Sequence, residues 1–166
     1  MTDEYQPQRT RLGKMFFGLV VSVGKFLADH MWLHYVLNFT WGLIGNVLGL
    51  LVFFVASLLP CKKKFARFHD FAYLILGRGW GGFECCYFFL LGDADEYWVE
   101  HTVKHEIGHS FQNALFGPFQ LFIVAASAIR YWLFRFKLAK NAYDAIWFEG
   151  SATKVGEYYY GRVEKK

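Results

Sequence analysis

The sequence predicts a mainly helical α+β protein that is held at a membrane by its N-terminal part. Of its 166 residues, 55% are hydrophobic and 21% are aromatic, whereas 19% are charged. A soluble domain usually contains about 25% charged residues. A long stretch without charged side chains lies in the first third of the chain, and a glycine-interrupted segment followed by helical patterns occupies the rest. This composition excludes a disordered chain.

The charge and the cysteines exclude two other classes of protein. The net charge is only +4, and the basic residues flank apolar segments, which is typical of contact with membrane lipid. Nucleic-acid binding would need basic residues clustered with stacking aromatic residues on a polar scaffold, so no nucleic-acid partner is expected. The three cysteines, Cys61, Cys85 and Cys86, include no CxxC pair. We expect them to be reduced and structural.

Two apolar segments near the N-terminus are candidates for membrane contact. Residues 36–59 contain no Asp, Glu, Lys or Arg, and they exceed the ~20 residues that a helix needs to cross a bilayer. Residues 16–28 are shorter and include one lysine, which fits either a second span or an amphipathic helix in the interface. We therefore predict a membrane anchor over residues 1–60, as one span or as a hairpin that turns near residues 29–34.

Basic and small residues add detail to this anchor. The basic residues that follow the predicted span are Lys62, Lys63, Lys64 and Arg67. By the positive-inside rule, that end of the span and the domain after it are cytoplasmic. Gly42, Gly45 and Gly49 form a stripe of small residues on the span. Another helix could approach closely there, although glycine is also simply tolerated in lipid.

Residues 61–166 are predicted as a second domain with a short β-hairpin and three helices. Residues 71–91 are rich in aromatic and β-branched residues and are interrupted by glycines, which predicts two strands joined through a turn. The three helices are predicted over residues 97–115, 119–136 and 141–160. Asp93 or Asp95 is suited to cap the first of them. The sequence does not indicate whether the protein forms oligomers.

The strongest chemical signal is an HExxH motif, His105-Glu106-Ile107-Gly108-His109, inside the first of these three helices. Two histidines four residues apart share one face of a helix, where both imidazoles can bind one zinc ion. The glutamate beside the first histidine is then placed to act as a general base. The alternative is a pair of histidines that only makes hydrogen bonds on a solvated helix.

A catalytic zinc ion needs a third protein ligand and keeps a fourth position for water. His101 lies one turn before His105, but the rise of ~12 Å between His101 and His109 is too long for three imidazoles to share one ion. We expect His101 at the surface or beside a ligand. The carboxylates of the last predicted helix are Asp144, Glu149 and Glu157. Glu149 follows aromatic residues, so it needs a cation partner, either a metal or a basic side chain.

The segment HEIGHSFQ at residues 105–112, followed by EGSAT at residues 149–153, resembles the gluzincin branch of zinc metallopeptidases. The pattern is most similar to the membrane-bound HtpX and CAAX-prenyl-protease type and to small bacterial membrane proteins with HExGHxxQ. The resemblance covers residues 101–161. It implies a minimal zincin-like domain in a membrane-anchored metallopeptidase that acts on a peptide or protein substrate. It also implies zinc ligands at His105, His109 and Glu149 and a general base at Glu106.

One position departs from the pattern of these families. Where they carry an aspartate that orients a zinc-bound histidine, this chain has Thr153. Thr153 can accept an imidazole N–H less strongly, and loss of such a partner costs about 10–100-fold in affinity or activity. A non-catalytic membrane protein with a structural metal site is therefore the alternative. Four protein ligands would favour that alternative, whereas an open position would favour the enzyme.

The resemblance also suggests where a substrate would bind. Zincin-like proteases present an edge strand beside the zinc, to which an extended peptide adds by main-chain hydrogen bonds. Residues 81–89 are suitably placed for this role, and a sheet that only packs the helices is the alternative. Tyr158, Tyr159 and Tyr160 are candidates either for an oxyanion-binding hydroxyl or for an interfacial aromatic belt.

Overall fold

The computed structural model describes residues 9–61, 63–77, 82–92, 95–138 and 146–165. The helices in these ranges are α1 (Arg11–Asp29), α2 (Met31–Thr40), α3 (Leu43–Leu58), α4 (Glu96–Phe116), α5 (Gln120–Arg135) and α6 (Trp147–Val163). The strands are β1 (Lys64–Phe68), β2 (Phe71–Ile75), β3 (Gly82–Cys85) and β4 (Phe88–Leu91). A mainly helical α+β class is therefore confirmed.

The segment 36–59 was predicted to be one helix, but the structure divides it between α2 and α3. At the break, the N–H of Gly42 donates to the carbonyl of Leu37 at 2.8 Å instead of to Asn38. The freed carbonyl of Asn38 accepts a hydrogen bond of 2.7 Å from the side chain of Asn46. The regular helical ladder is interrupted there because side-chain donors replace main-chain ones.

A second helix does approach the predicted stripe of small residues. A Cβ atom at Gly42 or Gly45 would overlap the side chain of Asn113 on α4. The Asn113 Nδ2 group donates to the carbonyl of Gly42 at 3.0 Å and to Asn38 Oδ1 at 2.7 Å. The glycines therefore allow the polar side chain of α4 to reach the broken helix.

Within the described ranges, the helical run that is long and apolar enough to cross a membrane is Glu96–Leu133. In the most apolar stretch of 18 residues in this run, only 17% are buried. Taken together, α1 and α2 are also long and apolar enough to cross a membrane, but the pair is bent by 109°. The bend lies between Asp29 and Met31, where a turn was predicted. With 16 residues, α3 is shorter than the ~20 residues that a span needs.

Large apolar side chains cover the outer faces of α3 and α5. Those more than about half exposed are Leu51, Phe54, Val55, Leu58, Phe122 and Ile129. Contiguous apolar surfaces of this kind mark sites of contact with a membrane or another protein. The structure thus places the apolar excess of the composition largely on the outside of the molecule.

The four strands form one sheet in the order β1-β2-β4-β3, with β2 and β4 parallel and the other pairs antiparallel. The predicted hairpin over residues 71–91 is corrected in two respects. The strand β1 was missed because its basic residues were interpreted as a charge cluster after a span. In addition, β2 pairs with β4 rather than with β3. In this order, β3 lies at the edge of the sheet.

One hydrophobic core joins the N-terminal helices to the rest of the chain. It contains Leu27 of α1, Phe71 of β2, Phe111 of α4 and Val155 of α6, all of which are at most 2% exposed. Within it, α4 and α6 approach so closely that a Cβ atom at Gly108 would overlap the main chain of Ala152. Likewise, a Cβ atom at Gly156 would overlap the carbonyl of Lys104.

Replacing Gly156 by alanine is expected to lower the free energy of unfolding by about 1–3 kcal/mol, because the added methyl group forces α4 and α6 apart. A matched control exists on the same helix, since nothing lies within 4 Å of a Cβ atom at Gly161. Gly161→Ala is expected to be neutral or to stabilise by up to about 1 kcal/mol. Denaturant unfolding followed by circular dichroism compares the two variants, and equal effects would contradict the close helix contact.

Candidate metal centre

The two histidines of the HExxH motif lie in the buried part of α4. Asp95 caps this helix by accepting a hydrogen bond of 3.0 Å from the N–H of Tyr97, as the sequence predicted for Asp93 or Asp95. Asp93 lies outside the described residues. Gly117, which has a φ of 55°, ends the helix in a conformation that favours glycine. Glu149 lies in the first turn of α6, and the contact between Gly108 and α6 brings it beside the histidines.

His105, His109 and Glu149 converge on one point. His105 Nε2 lies 3.1 Å from Glu149 Oε2 and 3.1 Å from His109 Nε2. The distance from His109 Nε2 to Glu149 Oε2 is 3.5 Å. The side chains of the two histidines are 15% and 11% exposed, and that of Glu149 is fully buried. A group of this composition and spacing could hold a metal ion.

Hydrogen bonds determine which nitrogen of His109 faces Glu149. The amide nitrogen of Gln112 donates to Ser151 Oγ at 2.9 Å and to the carbonyl of Phe148. Gln112 Oε1, at 2.8 Å from His109 Nδ1, is therefore the acceptor, and His109 Nδ1 is the donor. In a neutral imidazole with this tautomer, Nε2 carries a lone pair that points to the shared centre.

Thr153 holds His105 in the same way. Its hydroxyl group lies 2.8 Å from His105 Nδ1 and 3.3 Å from the carbonyl of Glu149, to which it donates. The hydroxyl oxygen thus accepts the N–H of His105. The prediction that Thr153 contacts a histidine of the motif agrees with this geometry.

The donor set could hold a metal ion, and zinc is one that such ligands bind. Two imidazole lone pairs and one carboxylate repel one another unless a proton or a metal cation lies between them. Tetrahedral zinc with bonds of about 2.0–2.2 Å separates its ligand atoms by about 3.3 Å, and the three observed separations lie between 3.1 and 3.5 Å. The outer hydrogen bonds that the imidazoles donate to Gln112 and Thr153 are of the kind that orients imidazole ligands in metal sites.

The carboxylate of Glu149 is kept ionised by its neighbours. Burial raises its pKa, but when the imidazoles also carry protons on Nε2, the charge of His109 and hydrogen bonds from both rings outweigh burial and lower the pKa below its ordinary value. Ser127 of α5 donates a further hydrogen bond to Glu149 Oε1. Ser127 was not predicted from the sequence, where its signal is a lone hydroxyl group in an apolar helix.

A cavity of about 430 Å³ lies beside the three converging groups. Its polar lining includes His105, His109, Glu106, Glu84, Ser127 and Gln120, and its apolar lining includes Phe83, Ile123, Val124, Ala128 and Trp132. The edge strand β3 thus forms one wall of the cavity and α5 forms another. The expected position of residues 81–89 beside the site agrees with this for the described part of that segment.

Two buried carboxylates other than Glu149 belong to the cavity. Glu106 and Glu84 are each 5% exposed. Glu106 lies so close to β3 that a Cβ atom at Gly82 would overlap its carboxylate. Burial raises the pKa of Glu84 to about 7, although His109 and the N–H of Cys86 act in the opposite direction. Glu84 was not predicted as a site residue from the sequence.

Other residues considered from the sequence lie away from the cavity lining. His101 is exposed, and its ring is in T-shaped contact with Trp98. Glu157 is exposed and pairs with Lys154 at 3.2 Å, and Asp144 lies outside the described residues. The three tyrosines of α6 contact Asp29, Phe71 and Phe68, respectively. None of the three is among the residues that line the cavity.

Comparison of the chain with protein-family models, with curated proteins and with solved structures found no match. The function is therefore inferred from the geometry and chemistry of the site.

Proposed function

We propose that this protein is a membrane-associated zinc metallopeptidase. One observation carries the proposal: three ligand atoms converge beside a cavity whose wall also contains the buried carboxylate of Glu106. His105, His109 and Glu149 would hold the zinc. Gln112, Thr153 and Ser127 would keep these three ligands in place through the hydrogen bonds described above.

Hydrolysis of a peptide bond needs an electrophile, a water molecule and a group that carries a proton. A zinc ion held by His105, His109 and Glu149 would supply the first two functions, because it would polarise a carbonyl oxygen and make water more acidic. The carboxylate of Glu106 accepts the proton from the attacking water and delivers it to the amine that leaves. The C–N bond breaks, the hydroxyl group of water remains on the carbonyl carbon, and the proton is transferred to nitrogen.

The alternative of a structural metal site is less well supported. A structural zinc site usually has four protein ligands, whereas the group found among the described residues has three. In addition, both histidines line a cavity of about 430 Å³, in which a substrate has room. A group of three protein ligands beside an accessible cavity favours catalysis.

Membrane association is supported by the exposed apolar faces of α3 and α5. Lys64 and Arg67 lie on β1, beyond the C-terminal end of α3. Because basic residues favour the cytoplasmic face, we propose that the sheet and the metal centre lie on that side.

Metal analysis and metal removal test the proposal together. Protein purified in detergent is expected to contain near-stoichiometric zinc and to hydrolyse unstructured peptides. Treatment with a zinc chelator is expected to abolish hydrolysis, and added zinc is expected to restore it. Bound zinc without any hydrolysis would favour the structural alternative, and absence of zinc binding would contradict both.

A further inference from the structure

Gln120, the first residue of α5, has unused hydrogen-bonding capacity beside the metal centre. The residue lines the cavity and is 3% exposed. Neither its amide nitrogen nor its amide oxygen has a hydrogen-bond partner within the described part of the chain. Burying such a group without a partner costs about 1–3 kcal/mol. The unpartnered amide of Gln120 in the cavity lining therefore indicates that a ligand supplies its hydrogen-bond partners.

The lining of the cavity indicates the chemistry of that ligand. The wall formed by α5 presents Ile123, Val124, Ala128 and Trp132, and Phe83 faces it from β3. Such surfaces fit apolar side chains. Glu84 and Glu106 are acidic and buried, and no lysine or arginine is among the described residues that line the cavity, so an acidic side chain would be buried there without a cationic side-chain partner.

The position of α5 is consistent with an apolar ligand that comes from the membrane. One face of this helix lines the cavity, whereas Phe122 and Ile129 on its other face are 73% and 62% exposed. The cavity is therefore separated from an apolar outer surface by a single helix. A ligand dissolved in or anchored to the bilayer would lie close to it.

We propose that the cavity binds an apolar peptide segment and that Gln120 hydrogen-bonds its main chain. This inference rests on the proposed function and names its substrate class. A carboxamide offers both a donor and an acceptor, and a main-chain peptide group offers the complementary pair. Gln120 is thus suited to recognise the backbone of a peptide whose side chains contribute only apolar contacts.

The proposal predicts opposite effects of Gln120→Leu on stability and on binding. Leucine is similar in size and has no polar atoms, so the variant is expected to unfold at the same or a higher temperature. Its dissociation constant for an apolar peptide is expected to rise about 10–100-fold, because two hydrogen bonds are lost. A residue with only a structural role would give lower stability and unchanged binding.

Binding is measured by fluorescence anisotropy in detergent micelles, with a labelled, end-blocked peptide of Leu, Val, Ala and Phe residues. The zinc-loaded Glu106→Gln protein is the parent, so that the peptide is not cleaved. Gln120→Leu is compared with Phe119→Leu, which alters an exposed neighbour outside the cavity lining. A second peptide carries glutamate at two central positions and is expected to bind more weakly.

Each result bears on the proposal. An unchanged dissociation constant in Gln120→Leu, equal binding of the acidic peptide, or no binding of the apolar peptide to the parent would overturn it. Absence of zinc or of hydrolysis in the unsubstituted protein would instead contradict the proposed function. The two failures are distinguishable because the binding comparison does not depend on turnover.

Discussion

Replacement of Glu149 by glutamine is expected to abolish tight zinc binding and, with it, hydrolysis. The substitution keeps the shape of the side chain but removes the negative charge that faces His105 and His109. Loss of a partner that only orients a ligand costs about 10–100-fold in metal affinity. Loss of a charged ligand from a fully buried position is expected to cost more, because a neutral amide compensates the metal charge poorly.

The measurement is a competition between the protein and a zinc indicator of known affinity. Glu157→Gln is the matched control, because it makes the same change on the same helix at an exposed side chain that pairs only with Lys154 among the interactions described above. This control is expected to bind zinc like the unsubstituted protein. Equal zinc affinity of Glu149→Gln would show that the ligand set has been assigned wrongly.

The helices could be predicted where local signals agree with the final structure. The helix predicted over residues 97–115 is found at Glu96–Phe116, because Asp95 provides a cap and Gly117 an end signal. The division between α2 and α3 could not be predicted. It depends on a hydrogen bond from Asn46 to Asn38 across the break and on one from Asn113 of α4 to Gly42. The second comes from a residue 71 positions away, which no local pattern encodes.

The site could be predicted only where its residues are close in sequence. The spacing of His105 and His109 on one helix identifies both, whereas Glu149 required the resemblance to known metallopeptidases. Ser127 and Gln120 lie on α5 and reach the site only through tertiary packing. Their signal in the sequence is weak: a single polar residue in an otherwise apolar segment. Glu84 on β3 is a stronger case, since a lone carboxylate among apolar residues indicates either burial with a partner or a function.

The order of the strands likewise could not be predicted from local patterns. A glycine-interrupted apolar segment favours a hairpin, and β3 and β4 do pair as one. However, β2 pairs with β4 in parallel. The strand between them in sequence, β3, therefore pairs with the other side of β4. This arrangement leaves β3 at the sheet edge beside Glu106, which is the position that the proposed function requires.

Replacement of Glu106 by glutamine is expected to lower hydrolysis by at least about 10²–10⁴-fold while zinc remains bound. The carboxamide has nearly the same shape as the carboxylate, so it fits against Gly82, but it cannot accept the proton from water. Glu106 does not belong to the ligand group, so zinc content and affinity are expected to be unchanged. Peptide hydrolysis and zinc competition, measured on the same preparation, separate the two properties.

Glu100→Gln is the control for this prediction, since it makes the same change on α4 at a side chain that is 49% exposed and pairs with Lys104. Its hydrolysis and zinc affinity are expected to match those of the unsubstituted protein. Loss of zinc from Glu106→Gln would place Glu106 among the ligands. Retained hydrolysis with zinc bound would mean that another group accepts the proton, and Glu84 is the carboxylate of the cavity lining that could replace it. The double variant Glu84→Gln/Glu106→Gln distinguishes that case, because hydrolysis would then fall only when both carboxylates are removed.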